Sequence, residues 1–173
     1  VPDSPAERLL LVGLGKEKSF REKEYCAALR TAFKALKDTG CKDALVDLSQ
    51  LPVKKQSVSW RIRQAVMIAG EVQYRFDSFK SKKPKEQALA RLVFTAGDKV
   101  KPSHADLALT QGEAIAEGVS LARTLGNLPG NVCTPTYLAE IALGIAREFS
   151  LESEILEQAD MEALGMHSLL SVT

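Results

Sequence analysis

The sequence contains few of the residues that most often build catalytic and metal sites. Only two histidines and three cysteines occur in 173 residues, and the H-E-x-x-H pattern is absent. Cys26, Cys41 and Cys133 have no paired metal-ligand spacing, and an odd number argues against a disulfide framework. We therefore expect reduced, buried thiols in a cytoplasmic protein.

Long hydrophobic runs are also missing. No apolar run approaches the roughly 18 residues that a membrane helix needs, although 45% of the residues are hydrophobic. The first residues show neither the basic start nor the long apolar segment of a secretory signal. We therefore expect no membrane span and no such signal, and we interpret Val1 as a cut end.

The net charge of +1 conceals a division of charge along the chain. Residues 54–91 contain 10 basic and 3 acidic groups, whereas residues 104–173 contain 2 basic and 10 acidic groups. This division indicates attraction within an assembly or a basic face offered to an anionic partner, although a solvated surface is the simpler explanation. The residues that would form a nucleic-acid face are Trp60, Arg61, Arg63, Lys80, Lys82, Lys83 and Lys85.

Hydrophobic patterns in the first hundred residues predict an α/β fold. We predict a buried central strand at Leu9–Leu14, with further strands at Ala44–Leu48 and Leu89–Thr95. Helical spacing predicts one helix between Ser19 and Thr39, stopped by Gly40, and another from Val58 to Phe76. A strand, a helix and a second strand would form a right-handed crossover, as in a mostly parallel sheet.

The second part of the chain is organised around a stiff polar joint. A helix of about 30 Å is predicted over Ala105–Leu125, with Gly126 as its stop. Pro129 follows in the joint, Thr134 is placed to cap the next helix, and Pro135 suits its first position. Beyond the joint we predict, in order, a helix to near Ser150, a strand at Glu152–Glu157, a helix at Asp160–Leu164 and a further element at His167.

Several residues invite a catalytic or binding interpretation, and each has a simpler explanation. Gly13-Leu14-Gly15-Lys16 follows a predicted strand but lacks the frame of a phosphate-binding loop. His167 could be a metal ligand, yet a structural hydrogen bond is more common for such a residue. Cys133 has no histidine near it in sequence to act as a base, and His104 is far from His167.

Two stretches in the second part resemble a known family. N-L-P-G-N-V-C-T-P-T-Y-L-A-E (Asn127–Glu140) resembles the opening of the catalytic domain of the leucyl, or cytosol, aminopeptidases, and L-G-M-H-S-L-L-S-V (Leu164–Val172) resembles that family's next recurrent stretch. Leu9–Lys16 and Trp60–Val66 are similar to parts of its N-terminal domain. The sequence departs from the pattern at Gly130, where a second proline is common.

The resemblance implies a domain organisation. Residues 1–100 would form a macro-like N-terminal domain, incomplete at its start, with a mostly parallel mixed sheet flanked by helices. Residues 101–126 would be a connector helix, and residues 127–173 the truncated start of an α/β catalytic domain.

The resemblance also implies an activity that this chain alone does not have. The intact enzyme would be a cytoplasmic hexamer that uses two divalent metal ions, Mn or Zn, to release N-terminal residues from peptides. The family's metal ligands and catalytic residues match no position here, so we assign no catalytic, cofactor-binding or metal residue and expect no metal on this fragment. The fragment would serve accessory or assembly roles. The alternative is a nucleic-acid or nucleotide binding module that uses the basic stretch 54–91.

Overall fold

A computed structural model describes residues 6–48, 51, 53–82, 88–95, 97 and 100–172. The predictions made on Val1, Lys83 and Lys85 lie outside the described residues. The elements, in chain order, are the 3-10 helix Glu17–Ser19, α1 (Glu22–Asp38), β1 (Asp43–Asp47), α2 (Val58–Gln73), β2 (Arg91–Thr95), α3 (Pro102–Asn127), α4 (Pro135–Glu148), α5 (Gln158–Ala163) and α6 (His167–Leu170). The chain divides into two compact units, Val1–Gly126 and Asn127–Thr173.

Helix α1 has the apolar stripe that its sequence predicts. Tyr25, Leu29 and Phe33 recur every four residues, so they share one face, and all three are buried. The chain turns after Thr39 at Gly40, whose φ of 70° lies in the left-handed region that glycine adopts without a steric penalty. The predicted helix and its stop are confirmed.

Helix α2 begins at a side-chain cap and buries one face against α1. The hydroxyl of Ser57 accepts a hydrogen bond from the backbone N–H of Trp60 at 3.1 Å. The buried residues of α2 are Arg61, Ile62, Ala65, Val66, Ile68 and Ala69. The helix ends at Gln73, three residues before the predicted end at Phe76.

The described sheet has two parallel strands, β1 and β2, joined through α2. Asp43 pairs with Arg91 and Asp47 with Thr95, which sets the register. One face packs on the core, where the rings of Phe33 and Phe94 meet edge to face at 6.5 Å. The predicted strands near Ala44–Leu48 and Leu89–Thr95 are therefore confirmed, as is the α/β class. The opposite face is more open, because Leu45 is 68% exposed.

Two predicted strands are wrong. Leu9–Leu14 has no regular structure, and Leu9 and Leu11 are 65% and 83% exposed. Glu152–Glu157 is likewise irregular. A strand needs a neighbouring strand to satisfy its backbone donors and acceptors, and no described residue pairs with either run. An apolar run indicates that a segment favours burial, but the segment becomes a strand only where a neighbouring strand is available to pair with its backbone.

A buried arginine connects α2 to the end of β1. Arg61 is only 9% exposed, and its guanidinium donates to the carbonyl oxygens of Leu48, at 3.0 Å, and Leu51. The hydroxyl of Tyr25, a residue with no exposed surface, donates to the backbone oxygen of Arg61 at 2.7 Å. Buried polar groups are costly unless they are paired. Tyr25 and Arg61 therefore fix α1, α2 and the loop after β1 together.

Helix α3 approaches α2 closely through glycines. A Cβ added at Gly112 would lie 2.8 Å from the Cβ of Val66 and 3.1 Å from the backbone oxygen of Arg63. A Cβ added at Gly70 would lie 2.8 Å from that of Ala116. These separations are shorter than van der Waals contact, so α2 and α3 pack at this distance only because neither glycine has a side chain.

The second unit is built from three helices. The Thr134 side chain accepts from the N–H of Tyr137, and Pro135 occupies the first turn, so the predicted start of α4 is confirmed. The short helix predicted at Asp160–Leu164 corresponds to α5, and the further element predicted at His167 is the helix α6. Gly165 lies between α5 and α6 at a φ of 72°. Among the described helices, none has both the length and the apolar character that a membrane span needs.

The close approach of α2 and α3 predicts opposite effects for two substitutions on one helix. Gly112→Ala should lower the free energy of unfolding by about 1–3 kcal/mol, because the new methyl group overlaps Val66. Gly118→Ala, also in α3, meets nothing within 4 Å and should raise it by about 0.5–1 kcal/mol. Urea unfolding followed by circular dichroism measures both. Equal effects of the two changes would contradict this packing.

Removal of the buried guanidinium should be costly. Arg61→Met keeps the aliphatic packing but leaves the oxygens of Leu48 and Leu51 without their donor, at a cost on the order of 2–4 kcal/mol. Arg63→Met is the matched control, because Arg63 makes an exposed hydrogen bond to Gln111 and should change stability by less than about 1 kcal/mol. Urea unfolding midpoints that fall equally in the two variants would disprove the role assigned to Arg61.

Candidate functional site

A groove between α1, α2 and α3 is one of the surface sites of the first unit. It has a volume of about 340 Å³. The lining residues are Arg30, Gln64, Met67, Ile68, Glu71, Ile115, Ala116, Val119, Ser120 and Arg123. Its floor is mainly apolar and its rim is polar, which is the general character of a binding groove.

The rim of this groove is held by a network of charged side chains. Arg30 donates to both carboxylate oxygens of Glu71, at 3.0 to 3.2 Å. The guanidinium of Arg123 lies 4.0 Å from the centre of the Tyr74 ring, and the Tyr74 hydroxyl is 3.3 Å from that of Thr124. Arg30 and Glu71 bind each other, so neither is free to act as an acid, a base or a substrate clamp in this structure.

The pKa shifts in this region follow from these contacts. The hydrogen bond from Arg30 lowers the pKa of Glu71, and the same bond raises the pKa of Arg30. Burial raises the pKa of the Cys26 thiol, which lies 4.0 Å from the side-chain oxygen of Gln64. Burial also raises the pKa of Tyr25, so its hydroxyl stays protonated and donates to Arg61. Each shift has a structural explanation, and none produces a nucleophile or a general base.

Backbone hydrogen bonds within the joint at 127–134 hold its conformation. The N–H groups of Val132 and Cys133 both donate to the oxygen of Pro129 at 2.9 Å, and Thr134 donates to Val132. Thr134 is extended, with φ −82° and ψ 165°, as the following proline predicts. Cys133 is half-buried and its amide takes part in this turn, which agrees with a structural interpretation.

The other candidate residues lie at exposed or irregular positions. His104 is exposed on α3 and His167 is exposed at the start of the four-residue α6. Gly13-Leu14-Gly15-Lys16 follows no strand, so the strand, loop and helix of a phosphate site are not formed there. Within the described residues, no three His, Cys, Asp or Glu side chains lie close enough to hold a metal ion.

The residues suggested for a nucleic-acid face are largely engaged elsewhere. Trp60 packs on Tyr25 with ring centres 5.6 Å apart, Arg61 is buried, and Arg63 bonds to Gln111. Lys80 and Lys82 are exposed. The aromatic part of the predicted face thus belongs to the protein core.

The Arg30–Glu71 pair was not predicted from the sequence. The two residues are 41 positions apart and lie on different helices. A charged residue on a helix gives no sign of its partner across a helix–helix contact. The sequence indicated only that α1 and α2 would each bury an apolar face, because their apolar residues recur at helical spacing.

The described residues form an α/β fold whose first unit has a groove between three helices, and comparisons with known proteins give the relationship of the chain. The N-terminal domain of the cytosol aminopeptidase family matches residues 1–83, and the catalytic domain of that family matches residues 120–173. The two matches occur in order and cover most of the chain. The chain therefore belongs to the cytosol aminopeptidase family.

Curated relatives and solved structures agree with this assignment. The chain is 55% identical to a probable cytosol aminopeptidase of Dechloromonas aromatica and 46% identical to one of Nitrosospira multiformis, with 99% of the chain covered in each case. It spans about a third of the length of these relatives (35% and 34%). The bottromycin maturation enzyme BotP in complex with Mn superposes with a TM-score of 0.71 at 26% identity, over 89% of this chain and 30% of that one.

The Arg30–Glu71 pair predicts a specific pH dependence. The pKa of Glu71 is lower in the folded chain than in the unfolded chain, so the pair stabilises the fold at neutral pH. This contribution is lost as the pH falls through the acid range below the ordinary pKa of a glutamate. Glu71→Gln should therefore be less stable than the parent chain at pH 7, and the difference should shrink toward pH 3. Urea unfolding at a series of pH values measures it.

Asp43→Asn is the control for this experiment. It removes the carboxylate of the Arg91–Asp43 pair, whose side chains are 72% and 64% exposed and are therefore strongly screened by solvent. Its stability difference from the parent should stay small across the same pH range. A parent chain and a Glu71→Gln variant with parallel pH profiles would contradict the role of Glu71.

Proposed function

We propose that this chain is the N-terminal part of a metal-dependent aminopeptidase that releases N-terminal residues from peptides. The observation that carries the proposal is the order of the two family matches, with the N-terminal domain at 1–83 and the catalytic domain beginning at 120. The relatives are named as probable cytosol aminopeptidases and are about three times as long. The activity therefore belongs to the longer protein.

Within that protein we assign three segments. Residues 1–100 are the macro-like N-terminal domain, residues 101–126 the connector helix, and residues 127–173 the beginning of the catalytic domain. The stiff joint after α3 supports this division, because backbone hydrogen bonds around Pro129 and the Thr134 cap hold its geometry.

The intact enzyme uses two divalent ions, Mn or Zn. When bound, such ions activate water and polarise the carbonyl of the scissile peptide bond. The structural neighbour BotP is known in complex with Mn, which supports a metal in this group of proteins. No group of metal-ligand side chains comes together in the part of this chain that the structure describes. We place the two ions in the longer protein, on residues beyond this part.

This chain contributes to the fold and assembly of the enzyme, which we propose is a cytoplasmic hexamer. Its second unit supports such a role, since several large apolar side chains are exposed there. Phe149, Leu151 and Leu164 are 63%, 60% and 64% exposed. Apolar surface of this kind is stabilised when another part of a protein covers it, and the greater length of the relatives offers such cover.

A nucleic-acid binding module remains unsupported as a function. Neither family matches nor relatives point to it, and Trp60 and Arg61 belong to the core of the first unit. We therefore retain the aminopeptidase proposal alone.

The proposal predicts that this chain is inactive by itself. Incubated with Mn²⁺ and leucine p-nitroanilide, the 173-residue chain should show no turnover above buffer, whereas the full-length protein should release p-nitroaniline. The release is followed by absorbance. The full-length protein after treatment with a chelator is the control for metal dependence, and it should lose activity and regain it when Mn²⁺ is added back.

Either of two results would contradict the proposal. Turnover by the 173-residue chain would show that a catalytic site lies within it. An inactive full-length protein that is folded and loaded with metal would show that the family's activity does not extend to this member.

A further inference from the structure

A basic cleft lies between the start of α1 and the turn before α2. Its volume is about 540 Å³, and it is lined by Arg21, Glu22, Lys23, Lys54 and Lys55. Four cationic side chains and one carboxylate therefore face the same space. Cations brought together in this way repel one another unless an anion lies between them.

No ion pair between described residues neutralises the cations of this cleft. Among the described residues, Lys23, Lys54 and Lys55 form no ion pair, whereas arginines elsewhere do. The guanidinium of Arg21 donates to the backbone oxygen of Phe20 and keeps its charge. Glu22 is the only carboxylate among the described lining residues, and it already accepts a hydrogen bond from the side chain of Gln56 at 2.5 Å.

Both walls of the cleft are anchored in the core. Phe20 and Tyr25, on either side of the α1 wall, are 4% and 0% exposed, and Val53, beside the lysine turn, is 5% exposed. The contact between Gln56 and Glu22 joins the two walls directly. The backbone segments that carry the positive side chains are therefore fixed relative to one another before any ligand arrives, which lowers the entropic cost of binding.

The lysine turn is not explained by backbone preference. Lys55 has a φ of 66°, in the left-handed region that favours glycine over residues with a side chain. A lysine at this position carries a conformational cost that a glycine would avoid.

We propose that this cleft binds a polyphosphate anion, either inorganic or carried by a nucleotide. Several adjacent phosphates carry multiple negative charges in a small volume, which suits four cations around a compact space. A single phosphate would reach fewer of them. The site lies apart from the α1–α2–α3 groove, since the two share no lining residue.

The test is a binding titration of the 173-residue chain by isothermal calorimetry at 50 mM salt. The probes are tripolyphosphate, ATP and inorganic phosphate, without divalent metal. Tripolyphosphate should bind more tightly than phosphate. Equal affinity for ATP and tripolyphosphate would identify the phosphate chain itself as the ligand, and tighter binding of ATP would identify a nucleotide.

Matched variants distinguish binding in this cleft from non-specific binding to the protein's positive charge. Each exposed cation is worth about fivefold in affinity, so the double change Lys54→Gln and Lys55→Gln should weaken tripolyphosphate binding about 20-fold. The same double change at Lys80 and Lys82, exposed lysines outside the cleft, should alter it by less than about twofold. Glu22→Gln should strengthen binding by about threefold to fivefold, because it removes the one negative charge of the lining.

The proposal fails if tripolyphosphate does not bind at 50 mM salt. It also fails if the substitutions at Lys80 and Lys82 weaken binding as much as those at Lys54 and Lys55, or if Glu22→Gln weakens it. The tighter binding expected for Glu22→Gln cannot be caused by misfolding, because a misfolded protein would not bind tripolyphosphate more tightly.

Discussion

The first unit depends on one buried interaction, in which the guanidinium of Arg61 meets the carbonyl oxygens that follow β1. Tyr25 approaches the same residue from α1 and donates its hydroxyl to the Arg61 backbone. Two helices and a loop are thus tied at one point, away from water. An arginine in such a position is stable only while its partners remain in place, so the position of α2 relative to the sheet is tightly determined.

Helix α3 extends this arrangement through close packing. Gly70 and Gly112 allow the backbones of α2 and α3 to approach, and the Arg30–Glu71 pair holds α1 against α2 at the rim of the same groove. The first unit is therefore a small parallel sheet with one face covered by helices, and most of its charged groups near the core are used for structure.

The family assignment accounts for the division of the chain. The N-terminal domain match ends within the first unit, and the catalytic domain match begins in α3 and continues through the second unit. The second unit exposes several large apolar side chains, among them Phe149, Leu151 and Leu164. The stretch of the joint that resembles the family in sequence forms a turn held by backbone hydrogen bonds.

The sequence by itself determined the main helices, the joint and the family, although α3 continues through Gly126, its predicted stop, to Asn127. Spacings such as Tyr25, Leu29 and Phe33, and caps such as Thr134, are local signals, because neighbouring residues alone produce them. Only the tertiary structure decided the rest. Leu9–Leu14 is apolar enough for a strand, but no described strand pairs with it. The sequence gives no sign that Arg61 is buried, because its partners, the carbonyl oxygens of Leu48 and Leu51, come from another part of the chain. Strand pairing, buried charge and ion pairs join residues that are distant in the chain, and no local pattern specifies such contacts.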